Sequence, residues 1–294
     1  PAVLTTDPES GNFNATYNDY DGVGLFLRGN GTSGNGNYGP ALAFGSGDSD
    51  SANQEHKHAA ISIVQTDTDP NQTGLAFWTH PTNTAADALS EAMRISADGS
   101  LSTPTLGTDN VCFGENAGNS ITSGGNYNVL LGTDAGTALT TGDSNVAIGW
   151  EALKNEDGNG TNVAVGTSAL FVLNAGADGY NTAVGYQTGA ATTVGLRNTL
   201  VGALAGDALT DADDNVAMGT SALSSDTLGS RSVAIGKEAL FAQNFTTATN
   251  TYNTAVGAFA GNAVTTGINN TLIGGLAGDA LTTGNRNTVV GEAA

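Results

Sequence analysis

A five-residue phrase occurs eleven times in the last two-thirds of this chain: asparagine, valine or threonine, two apolar residues, and glycine. The first copy is NVCFG at 110–114, the last is NTVVG at 287–291, and one copy begins with serine in place of asparagine. The closing glycines are spaced 18, 17, 17, 19, 17, 17, 17, 21, 17 and 17 residues apart. A repeat this regular, with insertions confined to the gaps between phrases, predicts a solenoid in which each repeat is one coil.

Each phrase predicts a short strand whose alternate side chains face inward. In NTAVG at 181–185, Thr182 and Val184 share one face and Ala183 lies on the other. The glycine supplies a turn that a Cβ atom would obstruct. The pattern that follows, x-x-Ala-(Gly/Leu), predicts a second strand, so that two strands and two turns make a flattened roll. At about 4.8 Å per coil, eleven such coils span roughly 50 Å.

The recurring asparagine predicts a ladder in which each side-chain amide bonds to the turn backbone of the next coil. The expected ladder residues are Asn128, Asn145, Asn162, Asn181, Asn198, Asn215, Asn253, Asn270 and Asn287. The expected turn glycines are Gly132, Gly149, Gly166, Gly185, Gly202, Gly219, Gly236, Gly257 and Gly274.

A longer period is superimposed on the coil. Residues 181–210 match residues 253–282 at 20 of 30 positions, an offset of 72 residues or four coils. The Ala-Gly and Ala-Leu pairs that follow the phrases keep the same four-coil order. This pattern indicates duplication of a four-coil block, and it could direct one flank of the rod towards a partner chain.

The prolines divide the chain in two. All six lie at positions 1, 8, 40, 70, 81 and 104, and stacked coils exclude proline because it lacks a ladder donor. We therefore expect an N-terminal domain over 1–105 and the solenoid over 106–294. Short apolar runs between Gly-, Asn- and Ser-rich segments predict a small antiparallel β-sandwich; they lie at 22–29, 40–45, 59–65 and 74–80. Residues 85–95 could form a short helix, or their end could open a strand with its turn at 97–99.

Composition narrows the possible functions. The chain is 39% apolar but only 6% aromatic and contains 42 glycines, which suits a narrow aliphatic core. Its net charge of −20, with only eight Lys and Arg, argues against nucleic-acid binding. No apolar run is long enough to predict a membrane span. The single cysteine, Cys112, occupies an inward strand position and predicts a buried core thiol.

Aromatic residues mark the three coils longer than 17 residues. A tyrosine precedes the asparagine that follows each insertion, and phenylalanines occur in the two longest coils. Two interpretations remain open: they cover the bulges or pack between chains, or they form exposed platforms that stack against a sugar receptor. The candidate receptor-binding residues are Tyr127, Tyr180, Tyr252, Phe171, Phe241 and Phe245.

Little in the sequence points to catalysis. His56 and His58 form an H-x-H pair that could bind a transition metal around a trimer axis, or could lie on a solvated strand edge. Acidic clusters at 47–51 and 210–215 have no Ca²⁺-loop spacing, so capped turns are the simpler interpretation. Neither a nucleophile elbow nor a dinucleotide loop is present. We expect no enzyme activity and no cofactor.

Two resemblances follow from these motifs. The N-(S/T/V)-(V/T)-A-(I/V)-G phrase resembles the repeat of trimeric autotransporter adhesin heads, which implies a left-handed parallel β-roll packed as a trimer. The stretches AAISIVQTDTDPNQTGLAFWTH (59–80) and EAMRISADGSL (91–101) resemble segments of bacteriophage tail fibres, and similar 17-residue arrays occur in fibres of marine phages.

These resemblances imply a homotrimeric tail fibre, part of the extracellular virion, which joins other tail proteins and binds a host cell-surface glycan or protein. We expect no contact with nucleic acid and no membrane insertion. A bacterial trimeric surface adhesin is the alternative. A polysaccharide-degrading tailspike with a paired-carboxylate site is a further possibility. An ice-binding solenoid is disfavoured because threonine is not arrayed as T-x-T on one flank.

Overall fold

The computed structural model describes residues 38–47, 55–65, 73–79, 90–103 and 105–294. The chain divides into two compact units, Pro1–Pro104 and Thr105–Ala294. In the described residues, all regular structure is β-strand and no helix occurs, which confirms the all-β prediction.

The N-terminal unit contains one antiparallel sheet. Its strands, in spatial order, are β1 (Tyr38–Gly47), β2 (Glu55–Gln65), β3 (Thr73–Thr79), β4 (Ser90–Ile95) and β5 (Leu101–Ser102). The prediction of antiparallel strands is confirmed. The described strands form a single sheet, and the run at 22–29 expected to contribute to a sandwich lies outside the described residues.

The possible helix over 85–95 is wrong for its described part, because residues 90–95 form β4. Arg94 and Ile95 pair with Ser102 and Leu101 of β5, so sheet pairing overrides local helix propensity. The connecting turn lies where the ADG sequence predicted it, with the Gly99 N–H donating to the Ser96 carbonyl at 2.9 Å. Residues 85–89 lie outside the described part of the chain.

One face of the N-terminal sheet is buried. Ala60, Ser62 and Val64 alternate along β2 with exposed or half-buried neighbours, and Ala76 of β3 is paired with Ser62. The indole Nε1 of Trp78 donates a hydrogen bond to Ser62 Oγ at 2.8 Å, so the buried hydroxyl has a partner.

The second unit is a parallel β-solenoid of eleven coils, as predicted. One three-residue strand per coil pairs in register with the equivalent strand of the next coil, forming an eleven-stranded sheet. These strands are β6 (Val111–Phe113), β7 (Val129–Leu131), β8 (Val146–Ile148), β9 (Val163–Val165), β10 (Thr182–Val184), β11 (Thr199–Val201), β12 (Val216–Met218), β14 (Val233–Ile235), β16 (Thr254–Val256), β17 (Thr271–Ile273) and β18 (Thr288–Val290). A small parallel pair, β13 (Gly229–Ser230) and β15 (Thr249–Asn250), lies beside them.

The prediction of a second strand in every coil is wrong. After each strand the backbone makes consecutive tight turns, with positive φ at the second and fourth residues beyond the phrase glycine. In the third coil these are Glu151 at φ 57° and Leu153 at φ 51°. The left-handed region is incompatible with an extended strand. The glycine itself is required: at Gly202, φ is +129° and a Cβ would lie 2.7 Å from the Gly219 carbonyl.

The solenoid core is narrow and aliphatic. In most coils, either the middle strand residue or the fourth residue after the glycine is leucine, and the facing position is small. Leu200 faces Gly206, where a Cβ would lie 2.9 Å from Leu200 Cδ2. The next coil reverses the arrangement, with Ala217 in the strand and Leu223 opposite, both fully buried. The facing pairs keep the core filled at nearly constant volume.

The four-coil period of the sequence is therefore a period of core packing. From β7 onwards the strand residue and its facing residue run Leu/Gly, Ala/Leu, Ala/Leu, Ala/Gly, and the order then repeats. In the Ala/Gly coils the neighbouring coils fill the space: a Cβ on Gly189 would contact Leu170 Cδ2 at 3.0 Å and Leu200 Cδ1 at 2.8 Å.

Cys112 is half-buried rather than fully buried. It packs against the core from the middle of β6, as an inward position should. However, β6 is the last strand at one end of the eleven-stranded sheet, so within the solenoid only β7 covers it.

Candidate interaction surfaces

The recurring asparagines form a buried hydrogen-bonded ladder. The Oδ1 atom of each residue accepts the backbone N–H of its counterpart in the next coil, for example Asn162 N to Asn145 Oδ1 at 3.0 Å. The Nδ2 atom donates to a turn carbonyl, such as Gly195 O from Asn181 at 2.9 Å. Rungs of this kind join Asn110, Asn128, Asn145, Asn162, Asn181, Asn198 and Asn215, and then Asn253, Asn270 and Asn287. The ladder fixes coil register and satisfies buried turn groups.

The ladder changes where Ser232 replaces asparagine. Ser232 N still donates to Asn215 Oδ1 at 2.8 Å, but the Ser232 hydroxyl meets Thr251 Oγ1 of the next coil at 2.6 Å, and the Asn253 N–H donates to that Thr251 oxygen at 3.4 Å. Gln243 links the two coils as well: its Nε2 donates to Ser232 Oγ at 2.8 Å and its Oε1 accepts from Asn253 Nδ2 at 2.8 Å. Gln243 Nε2 also donates to Asp226 Oδ2 at 2.6 Å. All of these side chains are buried, so the network is fully internal.

Two buried acids precede the two longest coils. Glu156 and Asp226 each lie seven residues after a phrase glycine, where most coils carry an aliphatic core residue. Glu156 Oε2 accepts the Ala175 N–H at 3.2 Å, and Asp226 Oδ1 accepts the Phe245 N–H at 2.9 Å. Both donors lie nine residues after the next phrase glycine, at the start of the inserted segment. The acids therefore anchor the bulges from inside the rod.

Burial raises the pKa of the Glu156 carboxyl, outweighing the hydrogen bonds from Asn159 and Ala175 that favour its charged form.

The predicted receptor-binding aromatics lie in three different environments. Tyr127, Tyr180 and Tyr252 are 60%, 59% and 52% exposed. Phe171 is half-buried and Phe241 is exposed on a different row, five residues after the phrase glycine. The structure therefore does not bring the tyrosines and phenylalanines into one cluster.

Phe245 corrects the prediction for that residue. It is only 7% exposed, so it cannot serve as an exposed stacking platform. The inserted segment folds over the coil end, where the Phe245 backbone N–H reaches the buried Asp226 carboxylate.

A row of exposed side chains runs along the residue that precedes each ladder asparagine. Five consecutive coils contribute Tyr180, Arg197, Asp214, Arg231 and Tyr252, which we call the Tyr-Arg-Asp row. Arg197 Nε donates to Asp214 Oδ1 at 2.6 Å, and Arg231 Nη1 donates to Tyr252 Oη at 2.9 Å. Arg231 Nε lies 3.7 Å from Asp214 Oδ2, and its guanidinium carbon lies 5.7 Å from the Tyr252 ring centroid.

These contacts shift the ionisation of the row in the expected directions. The hydrogen bond from Arg197 is the main cause of the lowered pKa of Asp214, and the same bond raises the pKa of Arg197. Both groups are therefore charged at neutral pH.

The outer face of the eleven-stranded sheet carries one apolar row and one mixed row. The third residue of every strand is Val, Ile, Leu, Met or Phe, whereas the first is valine in six strands and threonine in five. These side chains are half-buried or exposed, with Met218 and Ile273 at 40% and 41%. The middle residues point into the core instead. The third residues thus form a continuous apolar stripe along the full length of the solenoid.

Two exposed aromatics were missed from the sequence. Trp150 and Tyr186 directly follow phrase glycines, and each is more than half exposed. One coil, with Thr167 at the same position, separates them. Their position immediately after the phrase glycine could have indicated that they are exposed, because the strand residue before that glycine faces outward.

The predicted metal ligands His56 and His58 lie in β2, but their side chains lie outside the described part of the structure, so this metal site stays a prediction. In the 210–215 cluster, Asp213 Oδ1 caps the Leu196 N–H at 2.8 Å while Asp214 pairs with Arg197. The cluster at 47–51 lies beyond the described residues except for Gly47. Among the side chains that the structure describes, no group of three or more potential ligands comes together.

The described part of the chain contains no helix of the length and apolar character that a membrane span requires. Comparison with known proteins found no matching family model, no similar curated protein and no similar solved structure.

Proposed function

We propose that this chain is a rigid, non-enzymatic fibre segment that assembles as a homotrimer and attaches a virion to the surface of its host cell. The carrying observation is the apolar outer face of the solenoid sheet. This face extends across all eleven strands of the solenoid sheet. The net charge of the chain, −20, otherwise favours a fully solvated surface.

An apolar stripe roughly 50 Å long is larger than soluble monomers usually leave in contact with water. The narrow core adds to the argument, because no coil buries more than two leucines in its interior and the coils contain few aromatic residues. Packing the stripes of several copies around a common axis removes them from water. Three copies are the number implied by the resemblance to autotransporter heads and phage fibres, and cyclic symmetry closes the assembly.

A rod with repeated surfaces suits attachment. Equivalent positions recur at each coil and on each copy, so weak contacts with a cell envelope combine into strong overall binding. The ladder and the uniform core keep these surfaces in fixed relative positions. A bacterial trimeric adhesin would use the same rod, and antibody labelling of virions and of cells distinguishes the two locations.

A depolymerising tailspike would need two carboxylates across a glycan cleft. In the described solenoid, Asp213 and Asp214 cap a turn and pair with Arg197, while Glu156 and Asp226 are buried beneath bulges. We therefore favour attachment over hydrolysis.

Mass measurement in solution tests the assembly. Sedimentation equilibrium should give three times the chain mass of 29.2 kDa. A double variant with Val201→Asp and Ile235→Asp places charges on the outer face and should dissociate the trimer. Thr266→Asp, at an exposed turn, is the matched control and should leave the mass unchanged. A monomeric wild-type protein would overturn the trimer.

Attachment is tested separately. The fluorescently labelled trimer should bind host cells, and the dissociated double variant should lose most of that binding because avidity is lost. Failure of the wild-type trimer to bind any host cell would refute the attachment role.

A further inference from the structure

We propose that the Tyr-Arg-Asp row is a binding strip for a linear, uncharged glycan that lies along the rod axis. The inference deepens the proposed attachment function and rests on it for its biological meaning. The binding chemistry itself follows from the row.

The row is held rigidly. Arg197 N–H donates to the Gly179 carbonyl at 2.8 Å, and Arg231 N–H donates to the Asp213 carbonyl at 3.0 Å, so each backbone is fixed to the previous coil. The next residue in each coil is a buried residue of the asparagine ladder or its serine substitute. Side chains of the row therefore leave the rod from anchored points, about 4.8 Å apart along the axis. From Tyr180 to Tyr252 the strip is roughly 19 Å long, the scale of a short oligosaccharide.

The row has the same backbone conformation in every coil. Each of its five members has φ between 50° and 64°. Glycine is absent from this position in all eleven coils, so every coil presents a side chain here. The large polar and aromatic side chains of the five coils therefore leave the rod along one line.

Cations are concentrated at this position. The solenoid has five Lys and Arg, namely Lys154, Arg197, Arg231, Lys237 and Arg286, and three of them precede a phrase. This one position accounts for eleven of its 190 residues. Such a concentration of planar guanidinium groups on one line favours recognition by hydrogen bonding.

The local charge indicates an uncharged ligand. Arg197 and Arg231 are balanced by Asp213 and Asp214, giving two positive and two negative charges. The rest of the acidic rod repels polyanions. Guanidinium and carboxylate groups in alternation match the neighbouring donor and acceptor hydroxyls of a sugar. The exposed rings of Tyr180 and Tyr252 supply apolar faces at the two ends of the strip.

The full-length protein should be titrated against immobilised neutral glucans of α- and β-linkage, with a galacturonan as the acidic comparison. We expect binding to at least one neutral polymer and at least tenfold weaker binding to the galacturonan. Binding confined to the acidic polymer, or no binding to the neutral polymers, would overturn the proposal.

Variants locate the site. Tyr252→Ala and the double variant with Arg197→Gln and Arg231→Gln should each weaken neutral-glycan binding by about tenfold or more. Tyr186→Ala is the matched control: this tyrosine is 54% exposed, close to the 52% of Tyr252, but it lies directly after Gly185 and not on the row. Equal loss in the control would contradict a localised strip.

Three further outcomes are decisive. A changed oligomeric mass in the row variants would show that the row contacts another copy, which would refute the glycan strip. Unchanged attachment of row variants to host cells would refute the strip while leaving the fibre function intact. Glycan binding by a monomer that does not attach to cells would instead refute the fibre function alone.

Discussion

The two units of this protein use β-structure in opposite ways. In the N-terminal sheet, antiparallel strands pair across connections, so most residues face a different residue type, and register irregularities occur near Phe44 and Phe77. In the solenoid, each strand residue pairs with its counterpart in the next coil, and all ten strand pairs are in register. Insertions there are confined to segments outside the strands.

The two units therefore satisfy their buried polar groups in different ways. The N-terminal sheet satisfies Ser62 with one indole donor, a solution that serves a single site. The solenoid satisfies its turns with one asparagine per coil, repeated along the rod. A repeated solution makes every rung depend on its neighbours, so a defect in one coil should affect the coils on both sides.

The largest expected effect concerns glycine. Gly202→Ala forces a Cβ into the Gly219 backbone at a φ of +129°, and should lower the free energy of unfolding of the solenoid by about 3 kcal/mol or more. Gly99→Ala is the N-terminal counterpart: φ is +83° but no atom lies within 4 Å of the new Cβ, so about 1–2 kcal/mol is expected. Denaturant unfolding can be followed separately through Trp150 in a Trp78→Phe background and through Trp78 in a Trp150→Phe background. Equal effects would mean that coil stacking adds nothing.

The next largest loss of stability is expected where leucine alternates between the two facing core positions. Leu200→Ala should cost about 2–5 kcal/mol by leaving a cavity opposite Gly206. Adding Gly206→Leu converts the coil to the Ala/Leu arrangement of its neighbour and should restore more than half of the loss. Additive destabilisation in the double variant would contradict the exchange of volume between the two positions.

The asparagine ladder should contribute less per rung. Asn198→Ala leaves the Asn215 N–H and the Ala212 carbonyl without their partners and should cost about 2 kcal/mol. Asn269→Ala, at an exposed position in the row before the ladder, should change the free energy of unfolding by under about 0.5 kcal/mol. Hydrogen exchange of the Asn215 amide should accelerate only in the first variant.

Two carboxyl groups, one in each unit, should respond to acid with opposite signs. The pKa of Glu156 is raised by burial, so this group binds a proton more tightly in the folded solenoid than in the unfolded chain, and its contribution to stability should rise as pH falls towards 4.5. The hydrogen bond from Ser100 lowers the pKa of Asp98, so that contribution is present above pH 3.8 and is lost at lower pH. Glu156→Gln and Asp98→Asn should each remove the corresponding dependence in unfolding experiments from about pH 2 to 7.

The smallest effect is expected on the surface. Arg197 and Asp214 are largely solvent-exposed, so Arg197→Gln should change stability by no more than about 0.5 kcal/mol. Thermal melting in low and high salt should differ little between this variant and the wild type. A large loss would show that the row supports coil stacking as well as presenting side chains.

Much of the solenoid could be read from the phrase, because strand, glycine and asparagine recur at one spacing. The prediction of a second strand in each coil was wrong because left-handed residues such as Glu151 and Leu153 have no distinctive identity. Only the stacked backbone imposes positive φ on them. The burial of Phe245 was also beyond sequence reasoning, since it depends on how an inserted segment meets the Asp226 carboxylate of the previous coil.

By itself, the sequence determined the coil length, the number of coils, the inward strand position and the four-coil period, because these are spacings and side-chain sizes along one chain. Tertiary structure alone decided which residues meet between coils: Leu200 with Gly189, Glu156 with Ala175, and the alignment of Tyr180, Arg197, Asp214, Arg231 and Tyr252 on one exposed row. Residues 11 to 21 positions apart become neighbours only when the turns close and the strands pair, so their contacts are properties of the stack.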